Sequence, residues 1–163
     1  MKIIRERQIV EDGWQHVGDT DVLPASGDVI VSLVRWQREG EVLRGRAGGR
    51  VGVRLPNDRP VSEIAPDLPQ LPLVAIEFPK YRDGRGMSLA RLLRQRYGFR
   101  GEIRAVGNVL RDQMAYMERC GFDAYELTSG KSLESALEAF GEISVTYQDA
   151  VDPRSVPRHG GNR

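Results

Sequence analysis

From Leu73 onward, short apolar runs alternate with stretches whose apolar residues recur at helical spacing. "LVAIEF" (73–78) reads as a continuous apolar strand, and "MSLARLLRQRYG" then places Leu89, Leu92, Leu93 and Tyr97 on one helical face. "EIRAVG" (102–107) is the next strand, followed by "VLRDQMAYMERCG", with Leu110, Met114, Met117 and Cys120 at helical spacing. "AYEL", "SLESALEAFG" and "ISVTYQ" continue the alternation as strand, helix and strand. Gly98, Gly121 and Gly141 each stand where a helix should stop, because glycine readily takes the left-handed conformation that closes a helix end. Their separations of 23 and 20 residues match one βα unit, and such units build parallel sheets through right-handed crossovers. The predicted fold class is α/β, a mainly parallel sheet of successive βα units. The near-equal periods suit either an open flavodoxin-like sheet or a curved half-barrel-like one.

The front of the chain is less regular. Apolar pieces on either side of Asp12-Gly13 predict a small N-terminal β-hairpin turning at that dipeptide. "GDVIVSLVRWQREGE" begins as a strand at Val29–Val31 and continues as a short helix carrying Leu33, Trp36 and Gln37. Val51–Leu55 is a further strand, and the proline-rich stretch after it is a connector of one or two helical turns. Residues 1–150 are expected to form a single domain, and residues 151–163 a disordered tail.

Composition narrows the function. The 24 basic and 23 acidic residues leave a formal charge of +1, so nothing in the overall balance favours nucleic acid or an acidic membrane surface. No stretch approaches the roughly 20 apolar residues of a membrane span, and the N-terminus lacks a secretory apolar region, so a cytoplasmic location is expected. The single cysteine, Cys120, excludes a disulfide framework, a cysteine zinc site and a cysteine-held iron–sulfur cluster. It falls in the apolar series of its helix and reads as a buried, inert thiol. His16 and His159 are isolated near opposite ends and are not expected to be catalytic.

Charge is nevertheless polarised along the chain. From Lys80 to Arg104 there are eight basic and two acidic residues, and from Asp112 to Asp149 two basic and eight acidic. Ligands of parallel sheets sit at the carboxyl ends of the strands. That rule gathers Lys80, Arg82, Asp83 and Arg85 in one loop with Asn108, Arg111 and Asp112 in the next. The turn "KYRDGRG" could form an anion-binding mouth in which Lys80, Arg82 and Arg85 supply charge. The N–H groups near Gly86 and Met87 would donate, and Arg104 or Arg111 would reach over from the neighbouring unit. The plainer reading is a solvated turn: Arg91 and Arg94 on an exposed helix face, Ser88 as helix cap, Asn108 as the cap of the following helix, and Gly84 and Gly86 serving only the turn. No dinucleotide fingerprint, phosphate-binding lysine loop, nucleophile elbow or metal-ligand spacing is present, and no cofactor is indicated.

The run from "LPLVAIEFPKYRDGRG" through "RCGFDAYEL", with "DVIVSLVRW" before it and "VTYQ" after, resembles the bacterial family of domain-of-unknown-function nine-three-four. Members are labelled oxidoreductases involved in sulfite reduction. An acidic residue is common in the family at the position of Glu77, and an aspartate where this chain has Asn108. The resemblance implies a role in sulfur assimilation. Six-electron sulfite reduction needs a haem-type and iron–sulfur centre that one cysteine cannot ligate, so the chain is not expected to be the reductase. The expectation is an accessory or partner protein of sulfite reductase, or of another sulfur-assimilation enzyme, binding a small oxyanion. The alternative is a small flavin- or nucleotide-dependent oxidoreductase holding phosphate at the RDGRG turn. A half-barrel would also expose an edge strand and so favour a homodimer.

Overall fold

In a computed structural model of the chain, which describes residues 1–79, 84–128 and 130–141, the predicted alternation is realised. The strands are β1 (Lys2–Arg5), β2 (Gln8–Glu11), β3 (Gln15–His16), β4 (Val29–Ser32), β5 (Val51–Leu55), β6 (Leu73–Phe78), β7 (Glu102–Gly107) and β8 (Ala124–Tyr125). Helix α1 (Leu33–Arg44) follows β4 directly, α2 (Arg85–Arg91) continues as a π-helical turn at Leu92–Arg96, and α3 (Met114–Cys120) and α4 (Leu133–Gly141) complete the set. Three elements, β5, β6 and β7, have the predicted bounds. The expected strand at 143–148 and the tail lie outside the described residues.

The eight strands form one sheet in the order β2-β1-β8-β7-β6-β5-β4-β3. Strands β3 to β8 are parallel neighbours in chain order, while β1 pairs antiparallel with both β2 and β8. Because the order never reverses, right-handed crossovers place successive helices on one face. This is the winding of a barrel, not of a flavodoxin. The sheet is also strongly curled. Glu11 ends β2 at one edge and Gln15 begins β3 at the other, and four residues span at most ~14 Å. Eight flat strands at about 4.8 Å spacing would put those edges ~34 Å apart.

Alternation along each strand gives the sheet two unlike faces. Outward, Val53, Leu55, Val74, Ile76, Phe78, Ile103 and Ala105 pack with Leu89, Leu93, Met114, Met117 and Cys120 of the helices in the main core. Inward, Trp14, Ile30, Leu73, Ala75 and Val106 make a smaller apolar cluster. The same face carries Arg54, Glu77, Glu102 and Arg104.

Several local expectations are corrected. The hairpin exists, but it turns at Glu6-Arg7, both left-handed (φ 53° and 64°), not at Asp12-Gly13. A two-residue loop with both φ positive matches the twist of antiparallel strands, and Arg7 is held there by two hydrogen bonds to Glu118 (2.9 and 2.7 Å). Asp12 instead accepts from the backbone N–H of Trp14 (3.2 Å) as the chain crosses from β2 to β3. Ser88 lies inside α2 and does not cap it; Gly84 is the residue at the cap position. Asn108 precedes a short 3₁₀ turn capped at Leu110, and its backbone N–H donates to Phe78 O.

Arg94 is not solvated, and Arg91 is only partly exposed. Arg91 donates to Cys120 Sγ (3.4 Å) and Tyr116 Oη (2.8 Å). Arg94 is buried, donating to the carbonyls of Phe99, Gly101 and Gly121 and to Asp123 Oδ2 at 2.6 Å. One guanidinium thus satisfies carbonyls beside two of the predicted helix stops, Gly98 (φ 63°) and Gly121 (φ 122°). Gly141 is the last described residue of α4.

Candidate functional site

Within the curled sheet a charged network extends from a buried centre to an open cleft. At the centre is Arg104 on β7, with no solvent exposure. Its Nη1 donates to Asp12 Oδ2 (2.8 Å) and Glu126 Oε2 (2.7 Å), its Nη2 to Asp12 Oδ1 (2.9 Å), and its Nε to Glu102 Oε2 (2.9 Å). Arg5 on β1 adds bonds to Asp12 (2.8 Å) and Glu102 (3.1 Å). Burial alone would favour the neutral form of Asp12, but hydrogen bonds and charge from Arg104 and Arg5 outweigh it and hold the carboxyl below its ordinary value. For Arg104, burial opposes the charge, yet Asp12, Glu102 and Glu126 more than offset it and hold the guanidinium protonated.

Glu126 connects this centre to the cleft. Both its oxygens lie within 3.0 Å of His16 Nε2 on β3, and His16 Nδ1 is 3.2 Å from Arg54 Nη1 on β5. A guanidinium has only donors, so Nδ1 must accept, which puts the imidazole proton on Nε2 facing the carboxylate. Arg54 Nε in turn meets Glu77 Oε2 of β6 at 2.6 Å. Burial opposes ionisation of Glu126, but the bonds from His16 and Arg104 prevail and lower its carboxyl pKa.

The cleft, of about 540 Å³, opens at the carboxyl ends of β5 to β8. Arg54, His16, Glu77 and Glu126 form one side, while Phe78, Pro79 and Val106 contribute apolar wall. Asn57, just beyond β5, adds a buried side-chain Nδ2 that has no hydrogen-bond partner among the described residues. A second cleft of about 550 Å³ lies along α1. Four of its five charged lining residues are already engaged structurally: Asp67 accepts from Trp36 Nε1 (2.9 Å) and Arg44 (3.0 Å), Arg44 stacks on Trp36, and Arg38 donates to Glu39 (2.8 Å). The carboxyl-edge cleft is therefore the candidate site.

The described residues among those expected from sequence, Arg85, Gly86, Arg104, Asn108 and Arg111, do not line this cleft. Lys80, Arg82 and Asp83 lie outside the described residues. Arg85 is exposed at the start of α2. The Met87 N–H, expected to face an anion, donates to Gly84 O (3.1 Å). Gly86 has a packing role, since a Cβ there would come within 2.6 Å of the Phe78 ring. Arg104 is committed to three interior carboxylates. Arg111 donates to Ser135 O (2.9 Å), and Asn108 is half-buried beside β6.

Sequence reasoning missed His16, Arg54, Asn57, Glu77 and Glu126 as a group. One signal was available. Parallel strands covered on both faces are usually apolar throughout, and charges inside "VGVRL", "LVAIEF" and "EIRAVG" mark inward positions that need partners.

The class defined by these features is an α/β protein with a singly wound, curled sheet and an ionic interior open at the carboxyl edge. Residues 52–157 match the family described as "Bacterial protein of unknown function (DUF934)", and the chain belongs to that family. No curated protein and no solved structure matches the chain. Among the described residues, no helix is long and apolar enough to cross a membrane.

Proposed function

We propose that this chain is an accessory protein of assimilatory sulfite reduction, not the reductase, and that it holds a small ligand by an oxyanion group in the carboxyl-edge cleft. The observation that carries the binding role is the pairing of Arg54 with the unpartnered, buried Nδ2 of Asn57 at one cleft. A buried donor without a partner is costly, and a ligand acceptor removes that cost. A guanidinium beside it adds the charge-assisted contact that oxyanions favour. The pathway rests on the family resemblance. The lone cysteine supports the accessory role: Cys120 is fully buried between helices and can supply no cluster.

Two measurements test this reading. Sulfite or sulfate titrated into the purified chain should bind, and Arg54→Ala should weaken binding about tenfold or more, as expected for loss of a charge-assisted contact of ~1.5–3 kcal/mol. Arg85→Ala should leave it unchanged. The opposite pattern would move the site to the RDGRG turn. Affinity purification of the native chain from sulfate-grown cells should bring down sulfite reductase or a neighbouring sulfur-assimilation enzyme. A yellow chromophore on the purified chain would instead support the flavin-dependent alternative.

A further inference from the structure

The size and charge of the cleft define its ligand more narrowly. At about 540 Å³ it falls within the range of pockets that hold organic molecules, and an inorganic oxyanion would fill only a small part of it. Among its described lining residues Arg54 is the single Arg or Lys, against the carboxylates of Asp58, Glu77 and Glu126. The interior cannot correct that deficit, because Arg104 is already shared by Asp12, Glu102 and Glu126. Among the described lining residues a bare anion entering here would meet three carboxylates and one guanidinium. A cationic group on the same ligand removes that conflict.

The contacts on offer also come in two kinds. Arg54 uses Nε on Glu77 and Nη1 on His16, which leaves Nη2 to join Asn57 Nδ2 as donors. Glu77 uses Oε2 on Arg54, and its half-exposed side chain leaves Oε1 as an acceptor toward the cleft. We propose that the ligand is a small organic zwitterion, with its oxyanion on Arg54 and Asn57 and its ammonium on Glu77. This inference rests on the reading of the cleft as the ligand site.

Two matched pairs of probes test it on the unaltered chain by calorimetry: taurine against isethionate, and β-alanine against 3-hydroxypropionate. Each pair keeps the oxyanion and exchanges ammonium for hydroxyl. At least one zwitterion should bind tenfold or more tighter than its hydroxyl partner, and tighter than inorganic sulfate. Glu77→Gln should erase that preference while retaining the hydroxyl compound. Hydroxyl compounds or sulfate binding as tightly as the zwitterions would overturn the zwitterion and leave the oxyanion site standing. Failure of every probe to bind would overturn both. The comparison on the unaltered chain decides the matter even if Glu77→Gln fails to fold.

Discussion

Asp12 and Arg104 meet through two hydrogen bonds of 2.8 and 2.9 Å although 92 residues separate them in sequence. The contact joins the segment that crosses between the sheet edges to the inward face of β7. Asp12 has 1% and Arg104 0% side-chain exposure, so neither has water as a substitute partner.

Replacing Arg104 with alanine leaves buried Asp12 with Arg5 as its charged partner and Glu126 with His16 alone. Breaking a buried ion pair from one side costs about 3–5 kcal/mol. Urea unfolding of Arg104→Ala should show a loss of that order, and Arg104→Lys a smaller one, because an ammonium cannot span three carboxylates in the same plane. A loss under about 1 kcal/mol for the alanine variant would show that the network carries little of the stability.

Stability should fall on the acid side. Asp12 and Glu126 ionise more readily in the folded chain than when unfolded. Their contribution is therefore complete above the ordinary carboxyl range, about pH 4, and is lost as pH drops through the lower folded values. Thermal melts from pH 7 to pH 3 should hold level and then decline below about pH 4.5. An Asp12→Asn variant should start lower and decline less steeply; an equal slope would remove Asp12 from the acid transition.

The glycines of the "RDGRG" turn should behave differently from each other. Gly84 has φ −81°, and no atom lies within 4 Å of where an alanine methyl would stand, so Gly84→Ala should be neutral or stabilising by about 0.4–1 kcal/mol. Gly86→Ala drives its methyl into the Phe78 ring and should cost about 1–3 kcal/mol. Gly107→Ala should also destabilise, since φ is 89° and the methyl would lie 2.5 Å from Phe78 O. Calorimetric melting of the three variants gives the order.

Cys120 is fully buried, with Arg91 Nε 3.4 Å from its sulfur. A mild thiol reagent should therefore label it slowly in the folded chain and rapidly in denaturant. Rapid labelling of the folded chain would return the thiol to consideration as a redox group.

The outer layer of this fold was legible because apolar period carries it: β5, β6 and β7 and the glycine stops at Gly98 and Gly121 all follow from residues close in sequence. The inner layer was not. Arg94 has the spacing of a surface residue, yet its four acceptors are created only when two helix ends converge. His16 looks isolated until β3 is placed beside β4, which brings it within 2.9 Å of a carboxylate 110 residues later. Long-range ionic contacts of this kind leave single charges in a strand pattern, and only their apolar neighbours reveal that they point inward. The hairpin was mistaken for a similar reason: Asp12-Gly13 has turn chemistry, but Asp12 is used as an interior counterion.

The antiparallel pairing of β1 with β8 has a consequence for biosynthesis. Lys2–Arg5 leaves the ribosome early, but the strand it must join is the last of the eight in chain order. Until then Ile3 and Ile4, both fully buried at the end, have only their own hairpin for cover. Asp12 likewise waits for Arg104. Closure of the sheet is thus a late event, governed by contacts of long sequence separation that form slowly.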